Sequence, residues 1–140
     1  MADTSFFESE SDIDYTPLVL VVADDEEMRD GIEQLLSSDG YHIEAARHEA
    51  DAIERASRCC PDLILVSLNG TPAEVVAAAV RIRRGAEIDV SVPVVVFCVP
   101  TIDEGAEVPL GRNVYATRPD NFNQLRAFLE RLIVQSIQSA

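Results

Sequence analysis

The pair Asp24-Asp25, Ser67 and Cys98 each follow a short apolar run, and Arg118 follows Val114-Tyr-Ala-Thr117. Neighbouring acids suit a hard cation such as Mg²⁺, which takes one or two carboxylates and keeps several waters. Asp24-Asp-Glu-Glu27 is equally a helix start. With Asp24 as N-cap and Glu27 three residues on, it makes a capping box at the positive end of the helix dipole. Taken alone, that plainer reading is the better one. A serine hydroxyl such as that of Ser67 becomes a nucleophile only beside a general base, and none stands near it in this motif. Cys98 reads as a small buried side chain rather than a reactive thiol. The turn after the first apolar run is acidic rather than glycine-rich, so it would repel phosphate. No Ser–His–Asp or Cys–His spacing is present, and enzymatic activity is not expected.

The elements that must position these residues alternate along the chain. Leu18-Val-Leu-Val-Val22, Leu63-Ile-Leu-Val66 and Val94-Val-Val-Phe97 are continuous apolar runs, as strands covered on both faces require. Tyr41 to Ala45 and Val114 to Thr117 are shorter strands. Met28, Ile32, Leu35 and Leu36 recur at helical spacing up to Gly40. His48 to Arg58 and Ala73 to Arg84 predict two further helices. Phe122, Leu125, Leu129, Leu132 and Ile133 form the inner stripe of a closing helix. Residues 101–112 contain Gly105, Pro109 and Gly111, so a helix there is expected to be short or distorted. Strand–helix alternation implies an α/β domain with five parallel strands and helices on both faces. Its crevice lies at the carboxyl ends of the strands, where Ala23, Asp24, Asp25, Ser67, Cys98 and Arg118 meet.

The formal charge of −14 argues against a nucleic-acid partner and suits basic partner surfaces. No apolar run approaches the roughly 20 residues of a membrane span, so no membrane partner is expected. The N-terminus is acidic and lacks a signal-peptide pattern, which makes the cytoplasm the default location. Cys59 and Cys60 are adjacent and no CxxC occurs, so a disulfide framework or metal cluster is not expected. Residues 1–16 read as a disordered acidic lead containing Phe6 and Phe7, and residues 17–138 as the folded domain. His42 and His48 fall away from the crevice, on the surface. Arg81, Arg83 and Arg84 form the one basic cluster, either a solvated helix end or a partner patch.

Four motifs, in this order and spacing, resemble the response-regulator receiver family over about residues 17–135: Val21-Val-Ala-Asp-Asp-Glu26, Pro61-Asp-Leu-Ile-Leu-Val-Ser-Leu68, Pro93-Val-Val-Val-Phe-Cys98 and Tyr115-Ala-Thr-Arg-Pro119. The resemblance implies a doubly wound, flavodoxin-like three-layer sandwich and a role in two-component signalling. It also implies a metal- and phosphate-binding pocket, and here this chain departs from the family. A direct match sets Asp24 and Asp25 on the family's two metal-binding acids. An ungapped match is preferred. Arg29 and Gly40 stand six and seventeen residues after Ala23, the family's separations from its first acid. Ala23 then replaces that acid, Asp24 keeps the second, and Asp25 takes the acidic position that follows. Ser67 stands where the family has its phosphoacceptor aspartate. Cys98 stands at the Thr/Ser position, with Thr101 as the gapped alternative, and Arg118 replaces a lysine. Asn69 takes the place whose backbone carbonyl meets the metal. Tyr115 is the equivalent of the switch aromatic and is expected to be static packing.

The pocket Ala23, Asp24, Asp25, Ser67, Cys98, Arg118 is thus degenerate. No cofactor is expected, with weak Mg²⁺ binding at Asp24 and Asn69 at most. An Arg118–Asp24 salt bridge is the anticipated substitute for the ion. The expected function is a pseudo-receiver that works through protein–protein contacts. Its partner would be a histidine kinase, another signalling protein, or a second copy meeting Phe128, Ile133, Val134 and Ile137 of the last helix. The alternative is a stand-alone regulator phosphorylated at another residue.

Overall fold

A computed structural model describes residues 16–97, 102–119 and 121–139, with side chains placed up to residue 135 in the last helix. Six strands form one sheet: β1 (Leu18–Ala23), β2 (His42–Ala46), β3 (Leu63–Ser67), β4 (Val94–Phe97), β5 (Glu107–Gly111) and β6 (Val114–Thr117). Four helices complete the chain: α1 (Glu26–Ser38), α2 (Glu49–Cys59), α3 (Pro72–Gly85) and α4 (Phe122–Ser139). The sheet order is β2-β1-β3-β4-β6-β5. Five strands run parallel, and only β5 is antiparallel, on β6.

The apolar runs follow from this layering. In β1, Val19 and Val21 face one core with Ile32, Leu36, Leu125 and Leu129 of α1 and α4. Leu20 and Val22 face the other, with Ala52, Ala56, Ala79 and Ile82 of α2 and α3. Strand residues therefore alternate between two almost wholly apolar faces, with the buried Thr117 hydroxyl bonded to the Ala106 carbonyl. Small residues on α2 and α3 let those helices approach the sheet closely, and Gly85 meets Ile53 where the two helices touch.

Three expectations require correction. Five strands become six, because the segment read as a short or distorted helix contains β5 instead. Gly105 and Pro109 interrupt any helix there. Gly111 at φ +96° followed by Arg112 and Asn113 at φ 54° and 62° turns the chain back as a tight hairpin. Pro109 is tolerated because β5 is an edge strand with a register shift between Pro109 and Gly111. Second, Phe128, offered for a dimer contact, belongs to the core, as does Ile133 in keeping with its place on the inner stripe, whereas Phe122, also on that stripe, is 55% exposed. Of the residues offered for a dimer contact, Val134 is exposed, and the side chain of Ile137 lies outside the described residues. Third, Arg83 is not solvated: it is buried against the 88–92 loop. The two histidines are on the surface, as expected. His48 caps α2, its Nδ1 accepting the Asp51 N–H at 3.1 Å.

Candidate functional site

The parallel register sets the floor of the crevice. Ala23 ends β1 and pairs with Ser67, which ends β3. Ala23 is fully buried and Ser67 half-buried, so the centre of the crevice holds a methyl group beside a hydroxyl. The chain then turns outward, and Asp24, Asp25 and Glu26 are all exposed. Asp25, not Asp24, is the N-cap of α1, and its side chain makes no capping bond. This corrects the capping-box reading.

Asp24 reaches across the crevice instead. Its Oδ2 accepts the Asn69 N–H at 2.8 Å, tying the β1–α1 loop to the β3–α3 loop. The second loop is itself firmly held. Gly70 sits at φ +136°, which a side chain would strain. Thr71 and Glu74 then form a reciprocal capping box at the start of α3. Asn69 thus presents its N–H to Asp24 across the crevice.

Arg118 follows β6 and is exposed, and its Nη1 donates to the Ile102 carbonyl at 3.1 Å. That replaces the anticipated Arg118–Asp24 salt bridge: the guanidinium braces the segment leading into the β5–β6 hairpin. The arginine that does enter the crevice edge is Arg29, whose Nη1 donates to the Ala23 carbonyl at 2.9 Å. Sequence reading had used Arg29 only as a spacing mark. Its position one helical turn inside α1 is the signal that it can fold back onto the end of β1. Cys98 and Thr101 lie outside the described residues.

Tyr115 is half-buried in the α1/α4 core. Its hydroxyl donates to Asn113 Oδ1 at 3.0 Å, and its ring meets Phe128 edge-on with centroids 5.8 Å apart. Arg131 stacks over the other side of that contact, 5.4 Å from the Phe128 centroid, while pairing with Glu107 at 2.6 Å. Both ends of Tyr115 are therefore engaged. The hairpin is pinned from two sides more: Thr117 Oγ1 donates to the Ala106 carbonyl, and Gln124 Nε2 to the Gly105 carbonyl at 2.7 Å.

The donor set fits Mg²⁺ poorly. Asp24 has one oxygen committed to Asn69, Ala23 has no side-chain oxygen and its carbonyl already accepts from Arg29, and Ser67 supplies a neutral hydroxyl. Among the described residues, no three His, Cys, Asp or Glu side chains cluster to hold a metal ion. Among the described residues, too, no helix is long and apolar enough to cross a membrane.

No family model and no curated protein matches the chain. Solved structures do resemble it. A CheY-like receiver domain protein from Methanospirillum hungatei is 13% identical, with a TM-score of 0.70 over 90% of this chain and 100% of that one. The N-terminal domain of a three-domain response regulator from Carboxydothermus hydrogenoformans is 22% identical, with a TM-score of 0.64 over 87% and 98%. The chemotaxis protein CheY4 of Vibrio cholerae is 21% identical, with a TM-score of 0.60 over 84% and 99%. Parallel sheet, crossover helices and crevice together give this chain the fold of the response-regulator receiver domains, with an antiparallel hairpin strand added at the sheet edge.

Proposed function

We propose that this chain is a receiver-like signalling module that acts through protein–protein contacts and not through aspartyl phosphorylation. The observation that carries the reading is the pairing of Ala23 with Ser67 at the ends of β1 and β3. An acyl phosphate needs a carboxylate at that point, and a neighbouring acid to hold a cation against the developing charge. Ala23 and Ser67 supply neither. Asp24, the remaining carboxylate, is already bonded to Asn69. On this reading the module has no catalytic activity of its own and works in the cytoplasm. Its partner is another signalling protein, such as a histidine kinase, or a second copy of itself. The exposed β5–β6 hairpin gives it a partner surface unlike one built on a helix.

The test is exposure to acetyl phosphate with Mg²⁺, followed by intact mass and by lability to acid and hydroxylamine. No phosphoryl adduct is expected. A stoichiometric, hydroxylamine-labile adduct would refute the proposal and favour a phosphorylated regulator using another carboxylate.

A further inference from the structure

Away from the crevice, Arg83 is a buried charged side chain with no salt bridge among the described residues. Arg83, near the end of α3, is only 6% exposed. Its one hydrogen bond to the described residues is from Nη1 to the Val92 carbonyl, at 3.3 Å. No described carboxylate forms an ion pair with it. Asp89 lies within electrostatic reach, but its Oδ2 already accepts the Ser91 N–H at 3.0 Å. A second cation, Arg112 at the hairpin tip, repels Arg83. Burial and Arg112 together depress the Arg83 pKa, with Asp89 opposing. No buried side-chain nitrogen among the described residues lacks a partner, so the unbonded edge of the Arg83 guanidinium faces solvent, where an anion beside two like charges would be favoured.

The hairpin holds this arrangement in place. Asn113 Nδ2 donates to the Val90 and Ser91 carbonyls at 3.1 and 3.0 Å, and the Asn113 carbonyl accepts the Val94 N–H. The turn is thereby fixed to the loop that Arg83 bonds. Arg112 adopts a left-handed φ of 54°, where Asn or Gly would be easier. A local cost at a charged residue is the kind of outlier that accompanies a binding role. Val90 and Leu110, 53% and 45% exposed, flank the turn in sequence and by hydrogen bond.

We propose that Arg83 and Arg112, brought together at the amino edge of the sheet, receive carboxylates of the chain's own acidic N-terminal segment, residues 1–15. That segment lies outside the described residues. It contains Asp3, Glu8, Glu10, Asp12 and Asp14 and no lysine or arginine. It enters β1 at Leu18, and Val94, whose N–H meets the hairpin turn, opens β4 at the same edge of the parallel sheet. From β1 to β6 is three strand spacings, about 14 Å. The seven residues from Glu10 to Pro17 span up to about 23 Å, so Glu8 and Glu10 reach. Tethering supplies an effective concentration in the millimolar range, which favours this occupant over a dilute anion.

The test uses the full chain and follows the Arg83 and Arg112 Nε–H signals and the Asn113 amide by NMR. One variant neutralises the segment: Asp3→Asn, Glu8→Gln, Glu10→Gln, Asp12→Asn and Asp14→Asn. A second, Arg112→Asn, removes the exposed cation and suits the left-handed turn, so the fold is kept. In the unaltered chain, about 0.5 M salt should move all three signals toward their positions in the neutralised variant. That variant should lose most of this salt response, and a free peptide of residues 1–15 should restore it. In Arg112→Asn the amides of residues 8–14 should lose most of theirs. Identical signals in the unaltered and neutralised chains would overturn the proposal. So would inorganic phosphate titrating both with one midpoint, which would mark a site for free anions only. Dependence of the signals on protein concentration would also overturn it, by assigning the occupant to a second copy.

Discussion

Replacing Asp24 tests whether the crevice is held by a hydrogen bond rather than organised around an ion. Two variants, Asp24→Asn and Asp24→Ala, remove the same charge beside Asp25, Glu26 and Glu27. Repulsion relieved and helix-dipole attraction lost are therefore common to both. They differ in the acceptor: an asparagine oxygen can still take the Asn69 N–H now bonded at 2.8 Å, and alanine cannot. A neutral hydrogen bond contributes about 0.5–1.5 kcal/mol. Asp24 is exposed, so water competes, and the lower half of that range applies: about 0.5–1 kcal/mol. Urea unfolding with a slope of about 1.5 kcal/mol per M should then place the Asp24→Ala midpoint about 0.3–0.7 M below that of Asp24→Asn. Amide exchange supplies the local readout, since Asn69 should lose protection in Asp24→Ala and keep most of it in Asp24→Asn. Equal midpoints with an unchanged Asn69 amide would refute the reasoning, because the cross-crevice bond would then contribute nothing.

Gly31 and Gly85 should respond unequally to alanine. A Cβ at Gly31 meets nothing within 4 Å, so helix propensity alone acts, and Gly31→Ala should stabilise by about 0.5–1 kcal/mol, read as a Tm rise of about 2–4 °C. A Cβ at Gly85 would sit 3.0 Å from Ile53 Cδ1, which must shift, so crowding offsets the propensity gain and Gly85→Ala should give a lower Tm than Gly31→Ala. Acid stability should report the Glu49–Arg81 pair. The Arg81 guanidinium, hydrogen-bonded at 2.7 and 2.8 Å, holds the Glu49 carboxyl below its ordinary range. A depressed folded-state value makes the contribution complete above about pH 4.3, where the unfolded-state carboxyl titrates, and removes it as pH falls through the folded-state value. Glu49→Gln should therefore lose less Tm than the unaltered chain between about pH 6 and about pH 3; an equal loss in both would count against the pair.

Strands covered on both faces were the most legible part of the sequence. β1, β3 and β4 read directly from unbroken apolar runs, because each residue in them meets one of two cores. The edge of the sheet was harder. Glu107-Val-Pro-Leu110 is half exposed and carries a proline, so it shows no periodicity of its own, and its identity depends on pairing with β6. A turn signal was nonetheless present in Gly111-Arg-Asn113, followed by the apolar start of β6. In the crevice, both Ala23 and Ser67 could be placed at strand ends because each closes an apolar run. The directions of Asp24 and Arg118 were not legible. Spacing places a side chain at a strand end but does not choose among the acceptors and donors it meets there. Arg83 was misread for a related reason: a run of three arginines in four positions at a helix end looks solvated, yet helical spacing turns one of them inward.

Antiparallel β5 also changes how this sheet can grow. A parallel strand left at the edge would offer a ladder of free backbone groups to another chain. Here the outermost strand carries Pro109, which has no N–H to donate, and an irregular register between Pro109 and Gly111. The hairpin therefore works as a terminator, capping the β6 side against strand-to-strand joining. The opposite edge, β2, is backed by charge, with Glu44 paired to Arg55 at 2.6 Å. With both margins discouraged, assembly of copies into a continuous sheet is disfavoured, and contacts between copies are steered to side chains on helices and turns.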